Sequence, residues 1–293
     1  MSHFTCFLVG NPYEEMPRFD ENGTMYFKPR EIGDIENLRE SFSDPELIKE
    51  FKKETPSENH DFPHFYKWYH GIHMCTSREE LEEKMGEQEP CFLVEDGDVK
   101  ESWYFSNPDA KFDYFGIVGM DPFVRFSVEL RMKDGSKASR GLVKDIDIDA
   151  TLKAEQERYR EDYRKVMDKC GKIDHTPWSE FLKRVDSKEI TLDEARALYQ
   201  MQEGVNRFLK VAPFGNPDAY LCTEDEYTEN NASLPFFSAN IKGKWLENGE
   251  MGWFGVVLNE KNGQDWGKEI VAALRQAQED YPEEQFYILD CHI

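Results

Sequence analysis

Both ends of this 293-residue chain carry a strand pattern. Residues 3–9 alternate, with His3, Thr5, Phe7 and Val9 on one face and Phe4, Cys6 and Leu8 on the other. Phe286 to Ile293 reads as a last strand that runs to the final residue. Chain ends fray unless something ties them down, so strands at both extremes are expected only where a sheet holds them. The prediction is an α+β fold with a mixed or antiparallel sheet that contains both terminal strands. Towards the C-terminus, Leu234 to Ile241 and Gly252 to Leu258 read as strands. Gln264 to Gln278 reads as a helix with Trp266, Ile270, Ala273, Leu274 and Ala277 on one stripe. With the final strand this makes a β-β-α-β order, in keeping with a ferredoxin-like core.

The middle of the chain reads as an elaboration of that core. Residues 11–76 are polar and interrupted by proline, with one helix predicted near 35–52. Ser77-Arg78-Glu79-Glu80 has capping-box spacing and opens a short helix, and Cys91-Phe92-Leu93-Val94 reads as a strand. Phe123 to Met132, the turn residues Lys133-Asp134-Gly135-Ser136, and Gly141-Leu142-Val143 predict a hairpin. Ile148, Leu152, Tyr159, Tyr163, Val166 and Cys170 mark a long amphipathic helix stopped at Gly171. Thr191-Leu192-Asp193-Glu194 opens another that reaches Phe208. The expected organisation is a single domain, 1–293, with core strands from 1–10, 90–145 and 230–293 and a helical layer over 146–230.

Charge narrows the partners. With 59 acidic against 36 basic side chains the net charge is −23, a field that repels nucleic-acid phosphate and anionic membrane surfaces. Direct nucleic-acid or membrane binding is not expected, whereas a basic protein surface is a compatible partner. Aromatic residues make up 14%, more than a disordered acidic chain carries, so the chain is expected to fold. The first residues lack the basic stretch and cleavage site of a signal peptide, and no apolar run spans a bilayer. The expected location is the cytoplasm. Cys6, Cys75, Cys91, Cys170, Cys222 and Cys291 form no CxxC pair and are read as reduced thiols.

Met1-Ser2-His3-Phe4-Thr5, Gly249-Glu250-Met251-Gly252-Trp253-Phe254-Gly255 and the terminal Asp290-Cys291-His292-Ile293 resemble signatures of a family of uncharacterised phage and prophage proteins. Asn107-Pro108-Asp109-Ala110-Lys111-Phe112-Asp113-Tyr114 and Lys144-Asp145-Ile146-Asp147 resemble further segments of that family. The family's Gly-Gly-Arg-Trp turn has no counterpart here beyond Arg125 and Phe126. For a phage-encoded member the resemblance implies the host cytoplasm; it implies no established activity.

The candidate chemistry is therefore read from side chains. His3 and His292 sit at the outer ends of the terminal strands, with Thr5 and Asp290 as polar neighbours on the same faces. Imidazoles exchange protons near neutrality, so two in one pocket suit metal-independent phosphodiester cleavage, one taking and one giving a proton. His3, Thr5 and His292 are the catalytic candidates. A second reading has the two histidines anchoring the strands by hydrogen bonds, and a third has His292 with Asp290 or Cys291 and His3 as metal ligands. No metal or cofactor is expected. Tyr114, Arg125, Phe126, Glu250 and Trp253 are the ligand-binding candidates, with Trp103, Tyr104 and Phe112 as further aromatic walls. His60, His64, His70, His73 and Cys75 fit no standard metal spacing and are read as surface or core histidines. The expected function is a phage-type accessory protein that binds, and in one version hydrolyses, a nucleotide-derived small molecule such as a host defence messenger. The alternative is a non-catalytic acidic protein, or nucleic-acid mimic, that occupies a basic site on a host protein.

Overall fold

A computed structural model describes residues 2–251 and 256–293. The chain divides into two compact units, Met1–Glu15 with Phe115–Ile293, and Met16–Tyr114.

In the first unit the terminal strands lie side by side in the interior of a six-stranded mixed sheet. The order is Lys244–Glu247, Ser238–Ile241, His3–Val9, Gln285–His292, Tyr114–Ile117, and Arg140–Leu142 also pairs with Gln285–His292. His3–Val9 runs parallel to Ser238–Ile241 and antiparallel to Gln285–His292, in register from His3 opposite His292 to Val9 opposite Phe286. Each chain end is thereby hydrogen-bonded, and Ser2 and Ile293 exchange backbone bonds beyond the strands.

Alternation along the two strands decides what covers them. Phe7 and Val9, with their partners Ile288 and Phe286, share one face and pack against Trp266, Ile270, Leu274 and Ala277 of the helix Gly263–Asp280. These four helix positions recur every three or four residues, which makes the single apolar stripe a sheet-covering helix needs. Each such large side chain, fully buried, contributes about 1.5–3 kcal/mol. The Trp266 indole N–H donates to the Phe236 carbonyl at 2.8 Å, so the ring is buried without losing a hydrogen bond.

The helical middle of this unit comprises Ile148–Cys170, Trp178–Asp186, Leu192–Met201, Glu203–Val211 and Glu224–Asn231. Thr191 with Glu194 forms the predicted capping box, and Thr223 with Glu226 forms another. The single helix predicted from Thr191 to Phe208 is broken at Gln202. That residue is extended, and its side-chain amide bridges the N–H and C=O of Thr176. The predicted hairpin is shorter than expected, with Leu130–Arg131 paired to Lys137–Ala138. The preceding residues 124–129 are irregular, because Val124 and Val128 pack on the core and the Arg125 N–H bonds a side chain instead of a neighbouring strand.

The second unit has its own four-stranded sheet, ordered Lys28–Glu31, Asp98–Ser106, Cys91–Glu95, His73–Cys75. Strands near 90–106, expected in the terminal sheet, belong here instead. Asp96 and Gly97, both at positive φ, form a two-residue turn that folds Asp98–Ser106 straight back onto Cys91–Glu95. The helix predicted near 35–52 is two, Ile35–Ser41 and Pro45–Glu54. Asp44 caps the second and Pro45 begins it, a proline position compatible with a helix start but not with its interior. Among the described residues, no helix is long and apolar enough to cross a membrane.

Candidate functional site

The row of residues that holds Phe7 and Ile288 in the core turns polar one step further along the same two strands. Thr5 faces Asp290 and His3 faces His292 as direct cross-strand partners. Such partners have their β-carbons about 4.5–5.5 Å apart, so these side chains have to interact. The two imidazoles meet edge to face with ring centroids 4.8 Å apart. His3 Nδ1 lies 2.9 Å from Asp290 Oδ1. The other carboxylate oxygen accepts the Arg125 backbone N–H at 2.7 Å.

Burial gives these contacts weight. The side chains of His3 and Asp290 are 7% and 2% exposed, and His292 is 4% exposed. A carboxylate this deep is tolerated only when hydrogen-bonded, and Asp290 has a bond on each oxygen. With His3 Nδ1–H as donor to the carboxylate, the Nε2 atom carries the lone pair. This tautomer is assigned from the hydrogen-bond network.

The remaining expected residues take up different places. The Thr5 hydroxyl donates to the Pro235 carbonyl at 2.8 Å. Arg125 meets the site through its backbone, and the residue is otherwise exposed. Phe126 beside it is half-buried. Trp103, Tyr104 and Phe112 belong to the second unit and Arg125 and Phe126 to the first, while Tyr114, the last residue of the second unit, is exposed at the start of the strand Tyr114–Ile117. Trp103 packs with Leu81, Cys75, Cys91 and Leu93 in that unit's own core. Glu250 lines a groove of about 340 Å³ with Trp245, Glu247, Lys261 and Glu269, whose described lining includes none of His3, Thr5, Arg125 or His292. Trp253 lies outside the described residues. Cys291 points to the opposite face from His292, where its thiol bonds that of Cys6; burial and that contact push it well above the usual thiol range.

Two features add to what the sequence offered: a role for Asp290, read there only as a polar neighbour or a metal ligand, and a groove. Asp290 orients His3, and the period-two spacing of Asp290 and His292 is the signal that pairs them. The second is a groove of about 410 Å³ lined by Ser127, Glu129, Lys137, Glu155, Arg158 and Pro235. Its Pro235 accepts the Thr5 hydroxyl bond, and its Ser127–Glu129 stretch follows Arg125, whose N–H bonds Asp290.

The other histidines have separate partners. His60 bonds the Thr55 carbonyl, His64 bonds Asp61 at its helix start, and His70 sits against the Tyr66 ring and 3.4 Å from Asp34. His175 bonds Asp218 at 2.6 Å, and the same carboxylate accepts the Tyr199 hydroxyl and the Trp178 N–H. Asp218 thus caps Trp178–Asp186, whose own N-cap, Pro177, supplies no side-chain bond.

Comparisons of the chain with protein-family models, with curated proteins and with solved structures find no match.

Proposed function

We propose that this chain is a phage-type accessory protein that binds a nucleotide-derived small molecule of the kind used as a host defence messenger and hydrolyses its phosphodiester. The reading rests above all on the His3–Asp290–His292 cluster, in which two imidazoles in contact are accompanied by a carboxylate that orients one of them. A carboxylate on Nδ1 fixes the imidazole and leaves Nε2 to accept a proton, the arrangement a general base requires. In this mechanism His3 Nε2 removes a proton from water as its oxygen forms the new P–O bond. The protonated His292 delivers a proton to the leaving ester oxygen as the old P–O bond breaks. The products are a phosphomonoester and an alcohol, and proton exchange between the rings or with solvent restores the starting state.

The adjoining groove supports the binding half. Its volume is in the range of small-molecule sites, and Lys137 supplies a cationic group for phosphate, while Arg158 is held by Glu155 of the same lining. Edge-to-face rings leave no gap for a phosphate between them, so the substrate meets both from one side. Their low exposure means that access requires local opening around the pair. Incubating the purified protein with cyclic dinucleotides and ADP-ribose derivatives tests the reading. Turnover that is lost in His3→Ala and His292→Ala is expected, and neither binding nor turnover across the panel overturns it.

A second reading rests on charge. A surface with net charge −23 suits a decoy that occupies a basic site on a host protein. Capture of such a partner weakens as ionic strength rises, whereas uptake of a small molecule into the groove is far less salt-dependent.

A further inference from the structure

In the smaller unit, four chemistry-bearing side chains converge from a strand pair and one helix turn. His73 and Cys75 alternate on the strand His73–Cys75 and so share a face. The parallel partner Cys91–Glu95 sets Cys91 opposite His73, and the helix Arg78–Gly86 brings Glu80 over that face. His73 Nε2 lies 3.0 Å from Glu80 Oε1, and donor atoms of His73, Cys75 and Glu80 all lie within 4.8 Å of one another.

The Glu80 carboxylate is held for this position. The Ser77-to-Glu80 spacing predicts a reciprocal capping box, and the Ser77 hydroxyl does accept the Glu80 N–H. The return bond goes elsewhere: Glu80 Oε2 accepts the Thr76 N–H at 2.8 Å and the Thr76 hydroxyl at 3.3 Å. That leaves Oε1 turned to His73 and Cys75. An outer hydrogen bond that fixes a carboxylate in this way is the usual second layer of a metal site.

We propose that His73, Cys75 and Glu80 bind a single Zn²⁺ ion, with the fourth position open to solvent and the Cys91 thiol hydrogen-bonded to the Cys75 sulfur. Zn–ligand bonds of about 2.0–2.3 Å put tetrahedral donors about 3.3–3.8 Å apart, so the widest separation closes by about 1 Å while the His73–Glu80 pair, at 3.0 Å, opens slightly. A thiolate, an imidazole and one carboxylate favour zinc over magnesium or calcium, which take oxygen donors. His73 is 43% exposed and provides the way in, while Cys75 and Cys91 are fully buried beside Leu81 and Leu93. Binding replaces the His73–Glu80 hydrogen bond with two metal bonds and converts the Cys75 thiol to a thiolate, releasing one proton to solvent.

The test is titration of the full chain, with thiols kept reduced, by Co²⁺ and Zn²⁺ in competition with a chromophoric chelator. The expected result is one ion per chain and thiolate-to-cobalt charge-transfer absorption that Zn²⁺ abolishes. His73→Ala and Glu80→Gln change side chains at the rim of the cluster and are expected to weaken binding more than about 100-fold with the fold retained, since loss of an outer-layer partner alone costs about 10–100-fold. His64→Ala is expected to bind as the unaltered chain does. Absence of the charge-transfer band, or equal binding by His73→Ala and Glu80→Gln, overturns the proposal.

Discussion

The His3 imidazole and the Asp290 carboxylate, 287 residues apart in sequence, meet at 2.9 Å inside one strand pair. This contact joins the two ends of the chain and also orients the imidazole, so stability and chemistry can be tested on the same carboxylate. Asp290→Ala leaves the His3 ring and the Arg125 N–H without the buried acceptor they share. The expected loss is about 2–4 kcal/mol of unfolding free energy, measured by denaturant titration. A loss below about 0.5 kcal/mol would mean that the carboxylate does not hold the strands.

Removing residues 285–293 deletes the strand that lies between His3–Val9 and Tyr114–Ile117. Phe286 and Ile288 leave the core with it, and every His3–Val9 bond on that side is lost. The shortened chain is expected to lose the sheet of the first unit, visible as rapid proteolysis within residues 115–284 and loss of β-signal in circular dichroism.

Asp218 gives a pH-dependent test. Burial pushes its carboxyl up, but the Tyr199 hydroxyl, His175 and the Trp178 N–H together outweigh it and hold the group below the ordinary carboxylate value. A folded value below the unfolded one adds stability above the unfolded value of about 3.9, and the gain is lost as pH falls through the folded value. Asp218→Asn is therefore expected to destabilise by about 1–3 kcal/mol at neutral pH, with the difference shrinking below about pH 4. Paired denaturant curves at both pH values check it; a gap that widens in acid contradicts the assignment.

Thr191→Ala removes one half of a complete capping box in which the Thr191 hydroxyl accepts the Glu194 N–H and Glu194 bonds back. The expected cost is about 1 kcal/mol, read as a lower thermal midpoint. This box was legible because its chemistry is local: a hydroxyl and a carboxylate three residues apart. The same spacing at Ser77 and Glu80 predicted a box that is only half formed, because His73 on the adjoining strand and Thr76 before the cap take the carboxylate.

What was legible in the sequence follows from that distinction. Alternation at the two ends predicted the sheet, and it put His3 with Thr5 and Asp290 with His292 on shared faces. It could not predict that the Arg125 backbone N–H would meet Asp290, since main-chain donors have no sequence signature. Nor could it separate strands 91–106 from the terminal sheet. Apolar alternation says that a strand is half-buried, not which sheet buries it.

The central claim is that His3 and His292 together meet a nucleotide-derived ligand. The most direct measurement follows the imidazole resonances of these two residues by nitrogen-resolved NMR while cyclic dinucleotides and ADP-ribose derivatives are added. The account predicts that for at least one ligand both rings shift together and saturate at one ligand per chain. Unmoved signals for both rings across the series, at concentrations that saturate small-molecule sites, would contradict it.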